Sequence, residues 1–202
     1  VNAGAIAVTD LVVGDDLDDR VERVRSMYAR FLGRRPEIDV DVWRSERATG
    51  NRNRAIAYLM LSRGILGERV EETLDLYFAQ CSVLVTADDL AMIGATIANH
   101  GVHPSSGEQV VSPDVTRDML TVALTCGMYD YAGEWAYSVG IPAKSGVGGG
   151  IVGMLPGVGA ISVFSPRLDS YGNSVRGLLV FEELSREFEM HIFDPQRPWR
   201  RE

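Results

Sequence analysis

Lysine is almost missing from this sequence: of 20 basic residues only Lys144 is one, and the rest are arginines. A lone lysine raises the question of its task. Cysteine is nearly as scarce, and two residues, Cys81 and Cys126, exclude a disulfide framework. Each lies in an apolar run, so both are expected to be small buried hydrophobes of a reducing, cytoplasmic compartment. The three histidines, His100, His103 and His191, show no short ligand spacing with each other or with the cysteines, which excludes a zinc site. Each is expected as an exposed loop residue or a helix-terminal one. No apolar run approaches the roughly 18 residues of a spanning helix, because glycine and charge interrupt each one. Excess positive charge is absent too: 28 acidic against 20 basic residues leave a formal charge of −8. That balance excludes the electrostatic footprint of a nucleic-acid binder and an anionic membrane surface as partner. The first residue is Val1, with no basic segment ahead of an apolar one, so a processed or cut chain without a targeting signal is expected.

What is present suits one ordinary globular domain: 202 residues, 46% hydrophobic and 24% charged, without an internal repeat. The texture is helical to about residue 130 and rich in glycine and strand-like segments from about 140. Leu17, Val21, Val24, Met27, Tyr28, Phe31 and Leu32 recur at helical spacing, predicting a helix over 16–32 that Gly33 stops. Its acidic start, Asp15, Asp16, Asp18 and Asp19, lacks the glycine and final glutamate of a calcium loop and suits the positive end of a helix. Further helices are predicted over 51–63, ended by Gly64, and over 70–81. Thr86 with Asp89 makes a capping box for a helix through Asn99 that Gly101 ends. Ser112 and Pro113 open another, with Val115 to Cys126 running to Gly127. Eight glycines lie between Gly140 and Gly159 inclusive. Among them Ile151 to Leu155 and Ala160 to Phe164 read as two strands joined around Pro156 and Gly157. Asn173 and Ser174 cap a last helix with a broad apolar face of Val175, Leu178, Leu179, Phe181, Leu184 and Phe188. Residues 193–202 read as a tail or linker.

Several familiar patterns fail on their context. Gly148, Gly150 and Gly153 have dinucleotide-fingerprint spacing, but a strand and a turn follow them where a helix N-terminus is needed. Ala143-Lys144-Ser145 lacks the glycine that a phosphate loop requires before its lysine. Cys126 has no histidine placed to activate it as a nucleophile. Lys144-Ser145-Gly146 at the entrance to a strand carries more, since penicillin-binding acyl enzymes place a Lys-Ser/Thr-Gly element on an edge strand.

Other blocks agree with it. Asn2-Ala3-Gly4-Ala5-Ile6, Ser45-Glu46-Arg47, Gly50-Asn51-Arg52-Asn53 and Tyr77-Phe78 with Cys81-Ser82 come first. Cys126-Gly127-Met128-Tyr129-Asp130, Pro142 through Gly150, and Ser165-Pro166 with Gly172-Asn173-Ser174-Val175 follow in order. Together these resemble the serine-dependent glutaminases, from Asn2 to about Phe188. The resemblance implies an α+β fold like that of the β-lactamases and penicillin-binding proteins, a helical region plus an antiparallel sheet, here incomplete at the N-terminus. It implies a catalytic domain over 1–192, hydrolysis of L-glutamine to L-glutamate and ammonia, no cofactor and no metal, and a homo-oligomer.

By the same resemblance Asn2, Glu46, Asn53, Tyr77, Tyr129 and Val147 line the glutamine pocket, and Tyr129 is catalytic. Those residue types suit the substrate. Glu46 offers an anion to the α-ammonium, and Asn2, Asn53 and Tyr77 offer neutral donors. Tyr129, expected in a loop past Gly127, suits proton transfer or hydrogen bonding during acyl transfer. Val147 suits an oxyanion donor through its backbone N–H, with Lys144 before it on the same strand in an electrostatic or structural role at the site's edge. Each has an ordinary alternative: Asn53 as a helix cap, Glu46 paired with Arg47 or Arg52, Tyr77 in the core and Tyr129 simply half-buried.

In that family the nucleophile is the serine of a Ser-x-x-Lys element, upstream of the Asn-Ala-Gly block, with its lysine as base. No Ser-x-x-Lys occurs in these 202 residues, since Ile141 stands three before the only lysine. The chain is therefore expected to be inactive alone and to expose an unpaired sheet edge, with poor solubility or association as the result. A non-catalytic amino-acid-binding module that kept the pocket is the alternative. A penicillin-recognising acyl enzyme rests on Lys144-Ser145-Gly146 only.

Overall fold

The computed structural model describes residues 2–194, so the expected tail lies outside the described residues from position 195 onward. The chain forms two compact units, Val1–Val85 and Thr86–Glu202.

The first unit is helical: α1 (Ala3–Asp10), α2 (Leu17–Leu32), α3 (Val40–Thr49), α4 (Asn51–Ser62) and α5 (Val70–Cys81). The predicted helices over 16–32, 51–63 and 70–81 are α2, α4 and α5, with Asp16 capping α2 through Asp19 N–H and Gly33 closing it at φ 66°. Helices α1 and α3 escaped the sequence reading. Asp39 caps α3 by accepting from the N–H groups of Asp41 and Val42, both at 3.0 Å. No α3 residue is buried, so α3 has no apolar stripe for periodicity to reveal. Helix α5 is the hub, packed by each of the other four. Ile6, Ala57, Leu74 and Phe78 form its dry centre.

One long polar residue joins that interior. Arg20 on α2 is fully buried. Its guanidinium donates to the carbonyls of Val12 at 2.9 Å and Thr9 at 3.0 Å and pairs with Glu72 at 2.7 Å. Thr73, which Arg20 also touches, passes a 2.6 Å hydrogen bond on to Asp10. Burial pushes the Asp10 carboxyl up, but the Gly67 N–H, Thr73, Arg20 and Arg69 outweigh it and hold the pKa below the ordinary value.

The second unit contains α6 (Ala87–Ala98), α7 (Pro113–Cys126), a 3-10 turn over Tyr129–Tyr131, α8 (Ala132–Ser138), β1 (Ala143–Ser145), β2 (Gly150–Leu155), β3 (Gly159–Phe164) and α9 (Val175–Glu187). The Thr86/Asp89 capping box and the Ser112 and Ser174 caps form as expected. The sheet is antiparallel in the order β1-β2-β3, with Lys144 opposite Val152 and Met154 opposite Ala160. Among the described residues no strand pairs with the outer side of β3.

Strand alternation sorts β2 between two layers. Ile151 and Leu155 join Trp135, Ile141 and Phe181, the core beneath α8 and α9. Val152 and Met154 face α6, where Gly94 lets the helix down onto the strands; a Cβ there would stand 2.7 Å from Val152 and from Ala160. With both faces covered, β2 reads as one continuous apolar run.

Three expectations need correction here, and a fourth position needs its reason. Cys81 and Cys126 are exposed, because each is the last residue of its helix on the side away from the core. His103 is buried at 4% exposure, since its Nδ1 accepts from Ser105 and Ser106 N–H, both at 3.2 Å, and draws the loop over the ring. The apolar face of α9 is half solvent-exposed: Gly177, Phe181 and Ser185 form the buried stripe, while Val175, Leu179 and Phe188 lie outside it. Gly127 ends α7 in right-handed conformation at φ −68°, so the reason for glycine is room rather than handedness. A Cβ at Gly127 would lie 1.8 Å from the Ala143 carbonyl oxygen, and the Gly127 carbonyl accepts from Ser145 N–H at 2.9 Å.

Three variants test these contacts. Gly127→Ala forces α7 off β1 and costs about 3 kcal/mol or more of unfolding free energy in denaturant titrations, the upper range for overpacking. Gly133→Ala, where an added Cβ meets nothing within 4 Å, leaves stability unchanged or slightly raised. Asp10 has a depressed pKa, so its contribution is present above the unfolded value of 3.8 and is lost as pH falls through the folded value. Asp10→Asn is therefore less stable than the parent at pH 6, with the gap closing toward pH 3.

Candidate active site

In the first unit the six expected residues supply two pairs. Asn2 precedes α1 and Asn53 lies on α4, and the Asn2 amide donates to the Asn53 side-chain oxygen at 2.8 Å. Asn53 is third in α4 and Gly50 is the N-cap, so Asn53 is not a helix cap. Glu46 on α3 and Tyr77 on α5 both act on Cys81: Tyr77 lowers the thiol pKa and the Glu46 charge raises it. The neighbouring arginine does not neutralise Glu46, because Arg47 pairs with Asp75 at 2.9 Å. Tyr77 is half-buried, with its ring 5.9 Å from Phe78. The α3–α4 corner can carry Glu46 and Asn53 this close to α5 only because position 50 is glycine, where a Cβ would stand 2.5 Å from the Phe78 ring.

In the second unit Tyr129 and Val147 come together. Tyr129 opens the 3-10 turn, not a loop, at φ 56°, a left-handed conformation that costs a bulky residue on the order of 1–3 kcal/mol. Its phenol donates to the Ser145 carbonyl at 2.9 Å. Burial raises the phenol pKa above its ordinary value, and the nearby Val147 N–H partly offsets the rise. Val147 lies in the turn between β1 and β2, so it does not share a strand with Lys144. The Lys144 ammonium stands 4.8 Å from the centre of the Tyr129 ring and also donates to the Ser145 carbonyl, and its partial desolvation lowers its pKa. Lone lysine and expected catalytic tyrosine thus share one acceptor.

The sequence reading missed Cys81 as the common neighbour of Glu46 and Tyr77, although Tyr77 and Cys81 at i and i+4 on one helix signal it. Ser145, singled out in the Lys-Ser-Gly element, has a buried Oγ with no hydrogen-bond partner among the described residues. A cleft of about 740 Å³ is lined by Ser138, Glu182, Ser185, Arg186, Glu189 and His191 among others and contains none of the expected residues. Among the described residues no three His, Cys, Asp or Glu side chains gather as a metal site, and no helix is long and apolar enough to cross a membrane.

A three-stranded antiparallel sheet with a Lys-Ser-Gly edge strand, covered by helices on both faces, defines an α+β protein of the β-lactamase-like kind. Comparison with known proteins narrows this. The family model described as Glutaminase matches residues 1–193. A Microcystis aeruginosa glutaminase is 52% identical over 99% of this chain, and a Nostoc glutaminase 54% identical over 96%. The chain spans 59% and 58% of the lengths of those two relatives. Among solved structures, a Bacillus subtilis glutaminase in covalent complex with 5-oxo-L-norleucine superposes with a TM-score of 0.93 at 39% identity, covering 96% of this chain and 69% of that one. The chain belongs to the glutaminase family.

The Cys81 thiol gives this geometry a direct test. Partial desolvation by its neighbours pushes its pKa up, Tyr77 lowers it and the Glu46 charge raises it. Tyr77→Phe removes the lowering contact, so Cys81 alkylates more slowly with iodoacetamide at pH 8 than in the parent. Cys126, read by peptide mass spectrometry in the same sample, keeps its rate.

Proposed function

We propose that this chain serves the hydrolysis of L-glutamine to L-glutamate and ammonia through a serine acyl-enzyme whose nucleophile is not among residues 1–202. The observation that carries the reading is the family match over residues 1–193 together with relatives above 50% identity that are glutaminases. The serine oxygen attacks the side-chain amide carbon, the amide nitrogen leaves as ammonia with a proton, and water then cleaves the ester. No metal or cofactor is needed for these steps.

The residues have matching chemistry. Glu46 is a carboxylate left unpaired by Arg47 and suits the α-ammonium, while Asn2, Asn53 and Tyr77 suit the substrate's carboxylate. Val147 N–H, which lies near the Tyr129 phenol, is the donor for the amide oxygen as negative charge develops on it. Tyr129, with its raised pKa, keeps its proton at neutral pH and can deliver it to the leaving nitrogen. Lys144 holds the edge of this group electrostatically. The enzyme is a cytoplasmic homo-oligomer in this reading, with glutamine as its small-molecule partner and neither nucleic acid nor membrane as another. One observation favours a second reading, an amino-acid-binding module: no Ser-x-x-Lys occurs in the sequence.

Ammonia release from saturating L-glutamine by the intact gene product decides between them. The enzyme reading expects turnover by that product and none by residues 1–202 alone. Tyr129→Phe lowers kcat by about 100-fold to 10,000-fold, the range for a proton-transfer residue. Glu46→Gln raises KM by about 10-fold to 100-fold, as loss of a charged hydrogen bond requires. A folded product that binds glutamine without releasing ammonia leaves the binding module standing.

A further inference from the structure

We propose that Asn173 is a positioning residue for Tyr129: its buried side-chain amide holds the Met128 carbonyl, keeping Tyr129 in the left-handed conformation from which its phenol meets Ser145 and Val147. The proposal rests on the role given to Tyr129 above and adds what supports that strained residue.

Asn173 and Met128 are both fully buried. The Asn173 Nδ2 donates to the Met128 carbonyl at 3.4 Å, and the Tyr131 N–H donates to the same oxygen at 3.2 Å. The peptide group entering Tyr129 is thereby held from two sides. Asn173 is itself fixed by a tight turn: its N–H and that of Tyr171 both donate to the Asp169 carboxylate at 2.9 Å, and its carbonyl accepts from the Asp169 N–H at 2.8 Å. Gly172 in that turn adopts φ 95°, and a Cβ there would sit 3.7 Å from both the Tyr129 ring and the Val147 side chain. Residues 169–173 thus form the back of the seat in which Tyr129 and Val147 meet, with the Lys144 ammonium over the ring.

The chemistry of position 173 is specific. A carbonyl must be met by a donor, which an amide supplies; a carboxylate would set acceptor against acceptor, and an aliphatic group would leave the Tyr131 contact to hold the turn alone. A residue kept only to fill space beneath Gly172 would not need the amide.

The test is alkaline absorbance titration of the intact gene product, with the Tyr129 step isolated as the difference from Tyr129→Phe. In the parent this step lies above the ordinary tyrosine value of about 10, because burial dominates its surroundings. Asn173→Ala releases the phenol from its seat, moves the step down toward the ordinary value, and lowers kcat by about 10-fold to 100-fold with little change in KM, as a misplaced catalytic group does. Asp169→Ala, at a half-buried position, loosens the same turn and shifts the step in the same direction by less. Ser174→Ala removes the neighbouring buried cap on the Gly177 N–H and lowers the melting temperature while the Tyr129 step stays in place. If Asn173→Ala does not fold, Asp169→Ala decides. Unmoved titration in the variants that fold, with only a lower melting temperature, overturns the proposal. The titration needs no turnover, so a gene product that leaves glutamine intact sinks the glutaminase reading while this one is still judged.

Discussion

The second unit depends on the approach of the end of α7 to the edge strand β1. Gly127 has room for no side chain, and its carbonyl takes the Ser145 N–H. That contact does two things with one pair of backbones. It turns the chain sharply enough to bury Met128 and stand Tyr129 up at positive φ, and it fixes the strand that carries Lys144 and leads to Val147. Tyr129 then spans the gap by donating to the Ser145 carbonyl, the next acceptor along. The distances at the candidate site are therefore set by packing of main chain on main chain, which is stiffer than side-chain contact and depends on position 127 having no Cβ.

Much of this was legible in the sequence wherever local chemistry marks an end. The caps at Asp16, Thr86, Ser112 and Ser174 and the left-handed Gly33 act within a turn of themselves, and the helices they delimit begin and end as read. The strands of β2 and β3 were legible for the complementary reason, short apolar runs between glycines. Where the reading failed, the cause is tertiary. Helix α3 has no fully buried residue and sets only Trp43 against the apolar cluster, too little for a stripe. Arg20 is a buried polar residue whose partners include Glu72 and Thr73, some fifty residues along the chain, and His103 is buried by a loop folding back on its own ring, neither of which a spacing rule reveals. The cysteines were misjudged because an apolar neighbourhood in sequence does not say which side of a helix end faces the core.

The site residues divide along the same line. The reasons for Asn2, Glu46, Asn53, Tyr77, Tyr129 and Val147 came from ordered motifs resembling a family, and each alone has an ordinary structural explanation. The geometry removes some of those explanations: Asn53 bonds Asn2 rather than capping a helix, and Arg47 turns to Asp75 and leaves Glu46 alone. What spacing could not show is how the Tyr129 backbone is held, because the Asp169–Asn173 turn lies some forty residues further along and meets it only in three dimensions.

The near-absence of lysine acquires meaning from two cations in contrasting settings, Arg20 and Lys144. Arg20 is fully enclosed, and a guanidinium is the cation that tolerates this, since its fork of donors can be spent on Val12, Thr9 and Glu72 together and it does not lose its proton. Lys144 stands in a different setting. It has one carbonyl, an aromatic face and partial desolvation, and its proton is held less tightly than usual. A guanidinium there would be planar and permanently charged, and its several donors would compete with Tyr129 for the Ser145 carbonyl. A compact ammonium leaves room for the phenol on the same oxygen. In a chain whose other cations are arginines, lysine survives where a small charge must share an acceptor with the tyrosine beside it.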